Sequence, residues 1–193
     1  PRESEREQGR GRGVVRGIER RRGGQAGIGD ITATPLQLCN LAASIANRGF
    51  FFTPHIHKNT DHTPLPARFL TPHQTQASPE AYATVVAGMR LAVTKGTATE
   101  LNRTSYPVCG KTGTAENAGK DHSAFIGFAP MNHPKIAIAV YIEHGGFGAD
   151  MAAPIAGLIM EEYLKGRLSP RSLATVKRLE HIQTLEKRVS STK

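Results

Sequence analysis

Several residue types are scarce in this chain. It has 193 residues, no tryptophan, 6% aromatic residues and two cysteines. Because Cys39 and Cys109 form no C-x-x-C pair, we expect neither a zinc knuckle nor a redox motif, and no metal or cofactor. We expect two buried free thiols, and a disulfide between them is the alternative. The longest apolar runs, residues 136–142 and 152–160, are much shorter than the ~20 residues that span a bilayer, so we expect no membrane anchor or signal peptide here.

Acidic residues are also scarce, since 16 Asp and Glu stand against 25 Lys and Arg and give a net charge of +9. Residues 1–25 hold eight Arg and four Glu, or +4, and the other 168 residues carry +5. With almost no apolar residues, this segment cannot repay the entropy of ordering, and we expect residues 1–26 to be disordered or non-native. A nucleic-acid arm is the alternative. It lacks the aromatic residues that stack on bases, so we expect no nucleic-acid partner.

Capping signals predict where two helices begin. Thr34, followed by Pro35 and Gln37, has the pattern of a capping box, and apolar residues then recur at helical spacing up to an Asn-Arg-Gly stop. Ser78-Pro79-Glu80 begins a second helix with an apolar face, and Gly96 ends it. The sequence therefore predicts two amphipathic helices.

Three strands and further helices follow the second helix. Their short connections favour antiparallel neighbours, because parallel strands need a crossover of about a dozen residues. The predicted elements are a polar loop at 57–77, strands at 106–115, 123–129 and 135–142, a helix at 149–165 and a charged terminal helix at 169–189. We therefore divide the chain into a folded unit, residues 27–166, and a loosely held tail, residues 167–193.

A Gly-Lys-Thr triplet at residues 110–112 fits the end of two motifs. A Walker A phosphate loop needs Gly five positions earlier, where Ser105 stands, and a strand pattern occupies the place of its loop. The segment Lys111-Thr112-Gly113-Thr114 is instead the Lys-Thr-Gly motif of serine acyl-transfer enzymes. On a strand beside a cleft, the Lys attracts a substrate carboxylate, the Thr hydroxyls bind it, and the Gly lets substrate backbone approach. A backbone N–H of the same strand can help to stabilise a tetrahedral oxyanion.

Further segments stand around this motif in a fixed order. They are Gly27-Ile28-Gly29-Asp30, Thr34-Pro35-Leu36-Gln37-Leu38, Ala46-Asn47-Arg48-Gly49, Thr53-Pro54-His55-Ile56, Gly96-Thr97-Ala98, Asp121-His122-Ser123, Gly127-Phe128-Ala129-Pro130 and Ala152-Ala153-Pro154. With Gly110-Lys111-Thr112-Gly113-Thr114-Ala115-Glu116, they resemble the C-terminal part of a class B penicillin-binding protein transpeptidase domain. The resemblance covers about residues 27–166 and is closest to the elongation-type branch, penicillin-binding protein 2.

The resemblance implies an α+β fold of the penicillin-recognising kind, present in part, with an antiparallel sheet flanked by helices. It implies a peptidoglycan D,D-transpeptidase, in which a Ser attacks the penultimate D-Ala carbonyl of a stem peptide and passes the acyl group to an amine. β-Lactams acylate the same Ser. By resemblance, Lys111 is the electropositive Lys, Thr112, Gly113 and Thr114 bind the substrate carboxylate, and the Thr114 backbone N–H is an oxyanion donor.

The resemblance also implies partners and a location. The partners are stem peptides ending in D-Ala-D-Ala, β-lactams and, in the complete protein, the elongation machinery of the cell wall. The location is the periplasmic side of the bacterial inner membrane, where an N-terminal helix anchors the complete protein.

Two motifs of the family do not precede the Lys-Thr-Gly strand in this sequence: S-x-x-K, which supplies nucleophile and base, and S-x-N. The one S-x-x-K match, residues 190–193, lies at the C-terminal end, and we treat it as chance. We therefore expect a fragment that cannot form an acyl-enzyme alone and that exposes a sheet edge, which lowers solubility. The alternative is a non-catalytic carboxylate-binding or scaffold module of the same fold. A β-lactamase is disfavoured by the Thr-Pro-Leu-Gln-Leu and Gly-Phe-Ala-Pro segments.

The histidines show no metal-ligand spacing. His55, His57, His62 and His73 stand in the predicted loop without an H-E-x-x-H or similar pattern, and we expect solvated or hydrogen-bonded side chains. His122 directly precedes the second predicted strand, so we expect it to lie at the border of the cleft. We expect its side chain to make a structural hydrogen bond there and not to act in catalysis.

Overall fold

The computed structural model of the chain describes residues 26–28, 31–58, 60, 63–103, 105–116 and 119–182. Of the segment expected to be disordered or non-native, residues 1–26, all but Ala26 lie outside these ranges, and Ala26 begins a short strand. The part of the predicted terminal helix beyond residue 182 also lies outside them. Within them, no helix combines the length and the apolar character that a membrane crossing needs.

Helices and antiparallel strands are mixed along the chain, as in an α+β fold. The helices are α1 (Pro35–Ala46), α2 (Ala67–Leu70), α3 (Pro79–Thr94), α4 (Ala152–Lys165) and α5 (Pro170–Glu180), with a short 3-10 helix at Thr99–Leu101. The strands are β1 (Ala26–Ile28), β2 (Ile31–Ala33), β3 (Phe50–Phe51), β4 (His73–Gln74), β5 (Cys109–Ala115), β6 (His122–Ala129) and β7 (Ile136–Ile142).

The predicted helices are confirmed, with small shifts at the ends of α1, α3 and α4. The terminal helix predicted at 169–189 is shorter, because α5 ends at Glu180. The Thr34 hydroxyl accepts from the Gln37 backbone N–H, and the Gln37 side chain accepts from the Thr34 N–H, so the capping box is complete. Ser78 caps α3, and α4 ends at Gly166 in the left-handed conformation, with φ 69°. The predicted loop at 57–77 is not wholly irregular, because it contains α2 and β4, and β4 pairs with β3.

The three predicted strands form one antiparallel sheet in the order β5-β6-β7. Thr112 lies opposite Phe125, and Thr114 lies opposite Ser123. Because partners in register point to the same face of a sheet, Thr114 and Ser123 share one face. This register brings the Lys-Thr-Gly motif beside β6.

Hydrophobic clusters cover both faces of the sheet. Phe125 belongs to a cluster with α4, and Phe128, three residues later, belongs to a second cluster with α1 and α3. Both side chains are buried, with 1% of Phe125 and 0% of Phe128 exposed. Strand β6 is therefore the central strand of a sheet packed between helices, which fits its nearly continuous apolar sequence.

Polar contacts hold α5, the helix in the predicted tail. Ser172 is buried and donates a hydrogen bond to the Glu161 carboxylate, and Arg178 forms a salt bridge with Glu100 at 3.0 Å. Burial acts to raise the pKa of Glu161, but hydrogen bonds from Ser172 and Ser169 outweigh it, and the pKa lies below its usual value. The few apolar residues of α5 are thus supplemented by a buried carboxylate and its donors.

Candidate functional site on strand β5

Strand β5 lies at one edge of the three-stranded sheet in the described part of the chain, since only β6 pairs with it there. An edge strand directs alternate backbone N–H and C=O groups away from its partner, where an extended peptide can bind them. Lys111 and Thr114 have exposed side chains on this strand, and Thr112 between them is buried. The motif therefore offers a cation, a hydroxyl and open backbone groups along one strand.

Lys111 and Gly113 lie on the same face of β5, and this face has few neighbouring atoms beside Gly113. The Lys111 ammonium donates to the Thr112 carbonyl at 2.6 Å. A Cβ atom added to Gly113 would have only one neighbour within 4 Å, the Ala124 Cβ at 3.3 Å. The strand can therefore be approached closely over Gly113.

The Thr112 hydroxyl is paired inside the protein. Its Oγ1 lies 2.5 Å from the Thr97 Oγ1, and Thr112 is 9% exposed. Thr97 precedes the 3-10 helix, so this contact joins the motif strand to the connection that follows α3. The structure thus places Thr112 with Thr97, and its exposure to a ligand is much smaller than that of Thr114.

The Thr114 hydroxyl meets the loop between β7 and α4. The backbone N–H of Gly148 donates to the Thr114 Oγ1 over 3.4 Å. Gly148 lies directly against the sheet, because a Cβ added there would be 2.5 Å from both the Gly113 and Ala124 carbonyl oxygens. Only a residue without a side chain fits this approach, so the loop is in van der Waals contact with the motif strand.

Ser123 fixes the same loop from the neighbouring strand. Its side chain is fully buried, and its hydroxyl donates to the Phe147 carbonyl at 2.9 Å and accepts from the Ala152 N–H at 3.0 Å. Ala152 begins α4, whose N-cap Met151 makes no side-chain hydrogen bond. Ser123 therefore satisfies a helix N-terminal N–H that would otherwise have no partner from its own cap.

His122 makes the structural contact expected of it. It is buried at the start of β6, and its Nδ1 accepts from the His144 backbone N–H at 2.9 Å. Its ring packs against those of Tyr141 and His144. In the described ranges no three His, Cys, Asp or Glu side chains group together as metal ligands would.

Both cysteines are free, as predicted, and Cys109 is buried while Cys39 is half-buried. Burial raises the pKa of the Cys109 thiol to about 11. Its thiol is thus protonated at neutral pH, and it packs in the α1–α3 cluster and not in the site.

A cavity of about 650 Å³ lies near the turn between β5 and β6. Its lining residues come from that turn, the β7–α4 loop and the end of α5: Gly119, Lys120, Asp121, Gly145, Gly146, Phe147, Asp150, Met151, Arg178 and Ile182. None of the four predicted site residues lines it, so this cavity is separate from the Lys-Thr-Gly motif.

Sequence reasoning did not assign roles to Thr97, Ser123 or Gly148. The first two stand in segments that carry the family resemblance, and this is the signal that could have drawn attention to them. Their partners depend on strand register and loop position, which no local pattern encodes.

Comparison with known proteins identifies the same family over most of the chain. A family model described as the penicillin binding protein transpeptidase domain matches residues 13–161, and this match begins before residue 27. The peptidoglycan D,D-transpeptidase MrdA of Haemophilus influenzae is 31% identical over 164 residues, which are 74% of this chain and 25% of that protein. The peptidoglycan D,D-transpeptidase PbpA of Mycolicibacterium smegmatis is 35% identical over 148 residues, or 68% of this chain and 30% of that protein.

Solved structures agree with these relatives. Penicillin-binding protein 2 of Pseudomonas aeruginosa, in complex with WCK 5153, superposes with a TM-score of 0.64 at 35% identity, covering 74% of this chain and 33% of that one. Penicillin-binding protein A of Mycobacterium tuberculosis, as an imipenem acyl-enzyme, gives a TM-score of 0.60 at 30% identity, covering 72% and 33%. The chain spans about a quarter of the length of the MrdA relative and a third of these structures.

Proposed function

Since this chain belongs to the penicillin-binding protein transpeptidase family, we propose that it supplies the carboxylate-binding wall of a peptidoglycan D,D-transpeptidase site. One observation carries the proposal: Lys111 and Thr114 are exposed on opposite faces of an edge strand of the described sheet, and the Lys111 face is open to close approach over Gly113. The ligand class is a peptide that ends in D-Ala-D-Ala, or a β-lactam that resembles it.

The proposed residue roles follow from charge and hydrogen-bonding capacity. The Lys111 ammonium raises the positive potential beside the strand, where a terminal carboxylate binds. The Thr114 hydroxyl donates to that carboxylate, and its backbone N–H contributes to the oxyanion site. Thr112 adds its hydroxyl next to the Thr97 oxygen, so that a proton from Thr97 can satisfy Thr112 while Thr112 donates to the ligand.

Acyl transfer additionally needs a nucleophile, which we propose lies in another part of the same domain. The Ser of an S-x-x-K motif attacks the penultimate D-Ala carbonyl, the terminal D-Ala leaves, and an amine of a second stem peptide takes the acyl group. No S-x-x-K or S-x-N motif precedes Lys111 in the 193 residues. We therefore propose that these residues alone are not acylated.

Location and partners belong to the proposal. A transpeptidase of this family acts on the periplasmic side of the inner membrane, together with the elongation machinery.

The second candidate function is a non-catalytic module of the same fold that binds a carboxylate or serves as a scaffold. The exposed Lys-Thr-Gly strand is compatible with a transpeptidase and with a non-catalytic module. Formation of a covalent adduct with a penicillin distinguishes the two functions.

The experiment is intact mass spectrometry after incubation with a penicillin. Two proteins are compared: the 193-residue chain, and the same chain extended upstream along its genomic reading frame until an S-x-x-K motif is included. We expect a single adduct on the extended protein and none on the 193 residues. An adduct on the shorter chain would contradict the missing nucleophile and direct attention to Ser190. No adduct on either protein would favour the non-catalytic module.

A further inference from the structure

We propose that Ser123 is a positioning residue for carboxylate recognition, acting on Thr114 through the loop between β7 and α4. The inference rests on the proposed function, because it assigns a role within that site. Ser123 itself is fully buried and so does not touch the ligand. Its effect is transmitted by the backbone of residues 147–152.

Ser123 connects three elements through one hydroxyl group. From β6, it donates to the Phe147 carbonyl and accepts from the first N–H of α4. The Phe147 carbonyl also accepts from the Asp150 N–H at 3.0 Å, and the Gly148 carbonyl accepts from the Ala153 N–H at 2.9 Å. The loop is therefore a short, hydrogen-bonded turn. Three side chains of the sheet attach to it: His122 at His144, Ser123 at Phe147, and Thr114 at Gly148.

The attached loop carries a backbone N–H that reaches the Thr114 hydroxyl. Gly148 immediately follows Phe147, the residue that Ser123 holds, and its N–H donates to the Thr114 Oγ1. Thr114 and Ser123 are also direct cross-strand partners on the same face of the sheet. Any shift of the loop relative to β6 is thus passed directly to the Gly148–Thr114 contact.

This contact determines which way the Thr114 proton can point. A threonine hydroxyl has one proton to donate and two lone pairs to accept with. When the Gly148 N–H donates to the oxygen, it occupies one lone pair, so the hydroxyl proton turns away from Gly148 and is available for another acceptor. A substrate carboxylate is such an acceptor. At 3.4 Å the contact is long, so a small displacement of the loop removes it.

The test is a double-mutant cycle on penicillin acylation in the extended protein that contains the nucleophile. We expect Ser123→Ala to lower the second-order acylation rate constant about tenfold, as loss of one hydrogen bond to a charged group does. In a Thr114→Ala background, the same substitution should change the rate constant less than twofold, because its effect passes through the Thr114 hydroxyl. Ser123→Cys fills the site with a somewhat larger thiol that makes only weak hydrogen bonds. It should give an intermediate rate, and it controls for loss of folding through a cavity in the Ala variant.

Ser172→Ala is the matched control, because Ser172 is an equally buried serine that is bonded to Glu161 and not to the loop. It should leave the acylation rate constant unchanged. Equal losses from Ser123→Ala in the wild-type and Thr114→Ala backgrounds would overturn the positioning role while leaving the proposed function intact. Absence of any adduct on the unsubstituted extended protein would overturn both.

Discussion

Replacing Gly148 with Ala tests how closely the β7–α4 loop lies against the motif strand. The new Cβ would stand 2.5 Å from the Gly113 and Ala124 carbonyl oxygens and 3.0 Å from the Gly113 nitrogen. These are backbone atoms of two paired strands, so they cannot turn aside as a flexible side chain can. Gly148 is not among the glycines with positive φ, and hence the cost is steric and not a matter of backbone conformation.

The magnitude follows from the displacement that the loop must make. An ordinary contact of about 3.4 Å requires the loop to move away by roughly 0.9 Å, and overpacking of this kind costs about 1–3 kcal/mol. The move also weakens the buried Ser123 hydrogen bonds, which contribute about 1 kcal/mol more. We expect Gly148→Ala to lower the free energy of unfolding by about 2–4 kcal/mol in total.

Urea unfolding followed by circular dichroism measures this difference, with Gly88→Ala as the control. Gly88 is exposed inside α3, and a Cβ there has no neighbour within 4 Å. Alanine should therefore raise the free energy of unfolding by about 0.5–1 kcal/mol through helix propensity. If Gly148→Ala were as stable as the parent, the close approach of the loop to the sheet would be refuted.

Three further predictions concern buried polar groups. The pKa of Glu161 is lowered in the folded protein, so its contribution to stability is present above about pH 4.5 and is lost as the pH falls through the folded pKa. Glu161→Gln removes this titration, and the decline of the urea midpoint between pH 6 and pH 3 should therefore be smaller. In a Cys39→Ala background, the Cys109 thiol should react with a thiol reagent at pH 8 far more slowly in the native protein than in denaturant. Equal rates in the native and unfolded protein would contradict the burial of Cys109. Thr97→Val removes the hydroxyl that pairs with Thr112 and should lower the free energy of unfolding by about 1–2 kcal/mol, whereas an unchanged urea midpoint would show that the pair contributes nothing.

Much of the fold could be predicted from the sequence because its signals are local. Thr34 and Gln37 form the capping box that their spacing indicates, and Ser78 caps α3. The three strands pair in the predicted antiparallel order because their connections are too short for a crossover. Capping and short turns depend on residues within a few positions of one another, so single-sequence reasoning reaches them.

The details of the site depend on contacts between distant residues, which local patterns do not encode. The Lys-Thr-Gly motif identifies the strand, but nothing in it shows that Thr112 pairs with Thr97 while Thr114 stays exposed. Ser123 reads as an ordinary strand residue, since its two hydrogen-bond partners lie 24 and 29 positions later. The roles of Lys111 and Thr114 in binding stay predictions until a ligand is tested.

Strand order also has a consequence for how the chain folds. Strands β5, β6 and β7 are consecutive hairpin neighbours, so they can associate after closing only short loops, at small entropic cost. Helix α1 packs on β6 and β7 from far earlier in the chain, as the 98-residue separation of the Cys39 Sγ–Ala137 O contact shows. The meander should thus form in the folding transition state, while α1 docks after it. Core substitutions in α1, such as Ala42→Gly, should then speed unfolding and hardly slow folding.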